Sequence, residues 1–198
     1  MTGAKMTSYK NALAVALLTR GIPIIYYGTE QAFSGGSVGI LPVYKDYTGQ
    51  REVMWPHYDT NAQLYTYISR IITARKLFGI SGLALDQQER WTDTALYAFS
   101  RGKTLIAVTN ALRASAILPS LSNPFAANSR ACDFMSDRMP NFNPCVESGS
   151  DGSFNVSLTN GNFALYVPAQ VLNVQLSLSS PVYGAISFAL VFFLFFCW

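Results

Sequence analysis

The chain has 198 residues, half of them hydrophobic and 13% charged, about half the charged share usual for a soluble domain. That length suits one or two domains, and 13 Phe with 11 Tyr supply a sizeable core. The formal net charge of +3 is small, and no Lys/Arg run or RNA-type aromatic motif accompanies it, which argues against nucleic acid as a partner.

Residues 1–6 do not read as a signal peptide, because the apolar positions that follow lie on a helix. Residues 8–20 predict that helix. Ser8 is its candidate cap, Ala12, Leu13, Val15, Ala16, Leu17 and Leu18 give a broad apolar face, and Gly21 stops it. Residues 22–27 then form a near-continuous apolar run, the pattern of a strand covered on both faces. Gly28 ends the run, and Thr29, Glu30 and Gln31 follow as a polar turn. Helix followed by buried strand is the order of an α/β sheet with parallel strands.

Residues 32–58 read as a long loop punctuated by Gly35, Gly36, Gly39, Pro42, Gly49 and Pro56. Long loops in compact domains are uncommon and often functional. This one interleaves Tyr44, Tyr47 and Trp55 with Asp46, Arg51, Glu52 and His57, which is either a cleft wall or a loop packed by its own aromatics. Residues 59–78 predict a second helix. Asp59, Thr60 and Asn61 offer caps, Leu64, Tyr67, Ile68, Ile71 and Ile72 recur at helical spacing, and Arg75 and Lys76 suit the C-terminal dipole.

At about Gly82 the pattern turns to short strands. Residues 94–100 and 104–110 predict a hairpin about Arg101-Gly102-Lys103. Residues 115–118, 153–158 and 163–167 predict further strands, with Asn160-Gly161 as a tight turn between the last two. Residues 82–170 therefore read as a small antiparallel β-domain. Residues 119–150 form a Ser-, Asn- and Pro-rich excursion. Within it, Cys132 and Cys145 pair as a disulfide if the chain is secreted and remain free thiols in a reducing compartment. The only histidine, His57, lies far from both in sequence, which argues against zinc. Asn155-Val156-Ser157 is a glycosylation sequon.

After Asp151 no residue is charged, and residues 182–198 are almost wholly apolar. Seventeen residues are at the short end for a bilayer span, and no Lys or Arg follows them. A GPI-attachment signal, a membrane span and an incorrect gene model all remain open for this tail.

Residues 21–31, Gly-Ile-Pro-Ile-Ile-Tyr-Tyr-Gly-Thr-Glu-Gln, closely resemble the eighth barrel strand of the α-amylase family of glycoside hydrolases. Phe33-Ser34-Gly35-Gly36 resembles the loop after that strand. Arg51-Glu52-Val53-Met54-Trp55 resembles the family's Arg-Glu-x-x-Trp segment. Residues 58–65 and 71–76 resemble the start and end of the last barrel helix. Residues 96–101 fit the start of the C-terminal β-sandwich of fungal-type α-amylases. The resemblance implies an α/β fold, the last portion of a TIM (β/α)8 barrel followed by a small antiparallel β-sandwich. Its divisions are residues 1–81, 82–170 and a spacer and tail at 171–198.

The family acts on α-1,4-glucans by a retaining mechanism, which needs a nucleophilic carboxylate and an acid/base carboxylate about 5 Å apart. On this resemblance those groups, a third Asp in an Asn-His-Asp-type motif and the calcium ligands all belong to segments upstream. No catalytic or metal residue is carried over, no cofactor is expected in this chain, and calcium is expected in a full-length parent. The expectation is a fragment, inactive alone, of a secreted or cell-surface monomeric enzyme whose partner is an α-glucan. Glu30, Gln31, Arg51 and Trp55 are the cleft-wall candidates. A membrane-attached α-glucanotransferase, a non-catalytic amylase-like transporter subunit and a carbohydrate-binding sandwich are the alternatives.

Overall fold

The computed structural model describes residues 3–33, 54, 58–80, 86–136 and 144–172. Among these residues two α-helices, α1 (Gly3–Leu18) and α2 (Gln63–Leu77), precede eight strands. These are β1 (Gln87–Thr92), β2 (Leu96–Arg101), β3 (Thr104–Thr109), β4 (Arg113–Leu118), β5 (Arg130–Asp133), β6 (Cys145–Glu147), β7 (Phe154–Thr159) and β8 (Ala164–Pro168). A six-stranded sheet runs β1-β2-β3-β8-β5-β6, and β4 pairs with β7 in a second, two-stranded sheet. Every strand pair is antiparallel.

The period-2 alternation of the strands explains the layers. On β3, Leu105 and Ala107 face the two-stranded sheet, where they meet Leu118, Phe154, Val156 and Leu158. Ile106 and Val108 face the other way, onto Leu17, Leu18, Ile68, Ile71 and Ala74 of the helices. All six residues of β3 are therefore buried, which is unusual for an antiparallel strand. The six-stranded sheet is the middle of three layers. Burying a Leu- or Ile-sized side chain contributes about 1.5–3 kcal/mol, so removing either cover would cost several times that. The core crosses position 82 without interruption, because α1 and α2 cover one face of the β-domain.

Polar groups fasten the helices to the sheet. Asn11 of α1 is buried; its Nδ2 donates to the Gly161 carbonyl at 2.6 Å, and its Oδ1 accepts from the Thr109 amide at 3.0 Å. The C-terminal carbonyls of α1 gather cations, as the negative end of a helix dipole favours. Arg75 donates to the Leu17 carbonyl, and fully buried Arg101 donates to the Thr19 carbonyl at 3.1 Å. Burial, then the nearby Arg75 and Arg20 charges, holds the Arg101 guanidinium below its ordinary pKa.

Several expectations need correction. The first helix begins at Gly3, so Ser8 lies inside it and does not cap it. The second begins at Gln63 behind Ala62, and none of Asp59, Thr60 and Asn61 is its cap. The Asp59 carboxylate instead accepts from the Asn61 amide at 2.8 Å. Residues 22–27 form no strand, and Ile22 and Ile24 are 79% and 90% exposed. A strand exists only with a hydrogen-bonded neighbour, and none of the described strands lies beside this run.

Asn160-Gly161 does not close a hairpin, since β7 and β8 lie in different sheets. Both residues have positive φ, at 58° and 66°, and turn the chain from one sheet to the other. The 119–150 excursion contains β5 and β6, and β1 matches none of the strands the sequence predicts. Among the described residues no helix is long and apolar enough to cross a membrane. The apolar tail at 182–198 lies outside the described residues.

Candidate functional site

The polar turn after residues 22–27 is built by backbone geometry. Gly28 has φ 80°, the left-handed region that glycine reaches without cost. A side chain there would overlap the Phe33 ring. The Gly28 carbonyl accepts from the amides of Gln31 at 3.1 Å and Phe33 at 3.0 Å, which closes a single helical turn over Thr29–Gln31. Tyr27 packs edge-on against Phe33 at 6.3 Å and lies 4.8 Å from Tyr26. The turn thus carries an aromatic cluster and, within its single helical turn, the half-buried Glu30.

Gln31 is committed to the scaffold. Its Nε2 donates to the Asp59 carbonyl at 3.0 Å, and its Oε1 accepts from the Asp59 amide at 3.2 Å. This two-way clasp ties the turn to the approach of α2, 28 residues away. Arg51 and Trp55, together with Tyr44, Asp46, Tyr47, Glu52 and His57, lie outside the described residues. The structure therefore brings Glu30 and Gln31 to one turn.

Four carboxylates serve the fold. Asp86 pairs with Arg20 at 3.4 Å on the surface. Asp93 accepts from the Trp91 indole and from the amides of Ala95 and Leu96, and those bonds hold its pKa below the ordinary value. Asp133 accepts from the amides of Met135 and Leu165, both at 2.9 Å. Asp151 accepts from the Ser153 amide, which lowers its pKa likewise. Among the described residues no group of three His, Cys, Asp or Glu could hold a metal ion.

Sequence reasoning missed a groove of about 760 Å³ between the helices and the sandwich. Lys10, Tyr67, Arg70, Asp133, Asn155 and Tyr166 are among the residues that line it. Its signal is scattered over six elements, so no local motif reveals it. Its polar groups mainly serve the walls. Arg70 donates to the carbonyls of Phe134 at 2.6 Å and Ser136 at 3.0 Å, and the Tyr67 hydroxyl donates to the Lys10 carbonyl at 2.7 Å.

Cys132 and Cys145 form a disulfide. They face each other in register on paired strands β5 and β6, with Cα atoms 3.9 Å apart. Asn155 stands on the solvent face of β7.

No protein-family model matches the chain. Among curated relatives, a β/α-amylase of Paenibacillus polymyxa is 38% identical over 102 residues, covering 50% of this chain and 7% of the relative. Alpha-amylase 1 of Schwanniomyces occidentalis is 28% identical over 173 residues, covering 83% of this chain and 31% of the relative. Cyclomaltodextrin glucanotransferases also match. The chain thus spans under a third of the length of these two relatives. Among solved structures, an α-amylase from Malbranchea cinnamomea superposes with a TM-score of 0.69 at 23% identity, covering 84% of this chain and 34% of that one. Over most of its length the chain is similar to the C-terminal part of α-amylases, and its fold is the end of such a barrel joined to an antiparallel β-sandwich.

Proposed function

We propose that the chain is the C-terminal part of an α-amylase-like glycoside hydrolase acting on α-1,4-glucans, and that alone it is inactive. The observation that supports this is the apolar run at residues 22–27. Its Ile22, Ile24, Tyr26 and Tyr27 are exposed and it pairs with no described strand, yet it leads into a well-formed turn. A barrel strand is stable only when closed between neighbours. The similarity to α-amylases and cyclomaltodextrin glucanotransferases supports the same reading.

In this reading the chemistry requires two carboxylates about 5 Å apart, one attacking the anomeric carbon and one protonating the leaving oxygen. Those groups come from barrel strands outside this chain. Here Glu30 borders the glucan cleft from the turn, and Gln31 holds that turn in place through Asp59. Arg51 and Trp55 belong to the same wall by family resemblance. In this reading calcium is bound by the parent, through segments outside this chain. The disulfide supports a secreted or cell-surface protein. The apolar tail is its membrane attachment, and the parent is a monomer.

The second reading, an α-glucanotransferase, is favoured by the cyclomaltodextrin glucanotransferases among the relatives. It differs only in the acceptor, a sugar in place of water.

The test compares the purified 198-residue chain with the longer product encoded together with its upstream reading frame, both on soluble starch. The short chain is expected to release no reducing sugar. The longer product is expected to release reducing ends if a hydrolase, or to give transfer products without matching reducing ends if a transferase. Reducing-sugar release by the short chain, or neither product from the long one, would overturn the proposal.

A further inference from the structure

We infer that Asn155 is an N-linked glycosylation site on the exposed face of β7, where it borders the groove between the helices and the sandwich. Asn155-Val156-Ser157 is the only Asn-x-Ser/Thr triplet in the chain, and its middle residue is not proline. Such triplets are common by chance, so the structure must carry the assignment. It does so in three ways.

First, β7 alternates strictly between buried and exposed residues. Val156 is fully buried, so Asn155 and Ser157, two residues apart, stand together on the solvent face. A glycan on that face displaces nothing from the core. Second, the cross-strand neighbour of Asn155 is Ile117 of β4, which is 66% exposed. A sugar attached to Asn155 would lie across that side chain and shield it from water. Third, the Cys132–Cys145 disulfide belongs to an oxidising compartment, which in eukaryotes is also where asparagine glycosylation occurs.

The donor is an oligosaccharide carried on a lipid diphosphate. The Asn155 amide nitrogen forms a bond to the anomeric carbon. The bond from that carbon to the diphosphate oxygen breaks, and the lipid diphosphate leaves with the electron pair. The amide proton passes to a base of the transferase. No oxidant or reductant is needed. This inference is independent of the glycosidase reading, since it depends on strand geometry and compartment alone.

The experiment expresses the full 198-residue chain with a secretion leader in yeast and recovers it from the secretory pathway, whether retained or released. The wild type is expected to migrate as a heavier species that peptide N-glycosidase collapses, leaving Asp in place of Asn155 in the peptide map. Ser157→Ala should abolish the shift, and Ser157→Thr should retain it. Both replace an exposed side chain, and the Thr variant controls for folding. An unmodified Asn155 peptide in disulfide-bonded wild-type protein would overturn the assignment. So would a shift that survives in Ser157→Ala.

Discussion

Replacing Asn11 should loosen the first helix from the β-domain. Its side chain makes three hydrogen bonds at a site only 7% exposed. One goes to Thr7 within its own helix, whose carbonyl already serves the helix ladder, so its loss matters little. The other two leave partners behind: the Thr109 amide at the end of β3 and the Gly161 carbonyl at the sheet-crossing turn. A buried group left without a partner costs about 1–3 kcal/mol, so Asn11→Leu, which keeps the branched shape, should lose roughly 2–6 kcal/mol. A domain is stable by only about 5–15 kcal/mol, so this is a substantial share. Urea unfolding followed by tryptophan fluorescence should show a lower midpoint at unchanged slope. A Leu variant within about 0.5 kcal/mol of wild type, the range of an ordinary surface change, would refute the fastening described here.

Other consequences are equally open to measurement. Burial, then the nearby Asp133 charge, pushes the Tyr166 phenol up to about 12, from 10.0. Because the folded state holds this proton more tightly, the stability is intact below pH 10 and is lost as pH rises toward 12. About two pH units correspond to about 2–3 kcal/mol. Tyrosinate absorbance should show a late-titrating group that Tyr166→Phe removes; its absence from the wild type at alkaline pH with the fold intact would contradict this environment. Gly28→Ala should cost about 1–2 kcal/mol for the left-handed backbone alone, with more from the Phe33 overlap, read as a lower Tm. An unchanged Tm would mean that the turn is not held as described. Replacing both cysteines with alanine opens a link of sequence separation 13, and loops of that size are worth about 3 kcal/mol. Thermal unfolding of the oxidised wild type and the double variant should differ accordingly, and equal stability would remove the disulfide from the account of the fold.

What could be read in advance followed from local physics. The α2 stripe and the β2–β3 hairpin declare themselves within a few residues, through apolar spacing and the Gly102 turn. β1 did not, because Gln87-Gln88-Glu89-Arg90-Trp91-Thr92 is an edge strand whose outer side meets water. β5 and β6 are only 4 and 3 residues long, too short for periodicity, and their cysteines carried the only signal. Asn160-Gly161 advertised a turn correctly, but which strand each side would join is decided by packing far away. Residues 22–27 show the same limit from the other side. Their composition specifies a doubly covered strand, while pairing depends on neighbours that composition cannot supply. At the candidate site, Gln31 was singled out for its place beside a cleft. Its actual bonds, to the Asp59 backbone, were invisible because the partners lie 28 positions apart in sequence.

That clasp separates two design problems. With the Thr29–Gln31 turn pinned to Asp59, ahead of α2, the scaffold depends only weakly on the length of chain between them. Loop closure costs rise slowly, by about 0.6 kcal/mol for each doubling of length, once the ends are fixed. Residues can be inserted, deleted or exchanged between positions 33 and 58 while the helix and the turn keep their places. Sequence change there would leave untouched the bonds that hold the turn to Asp59.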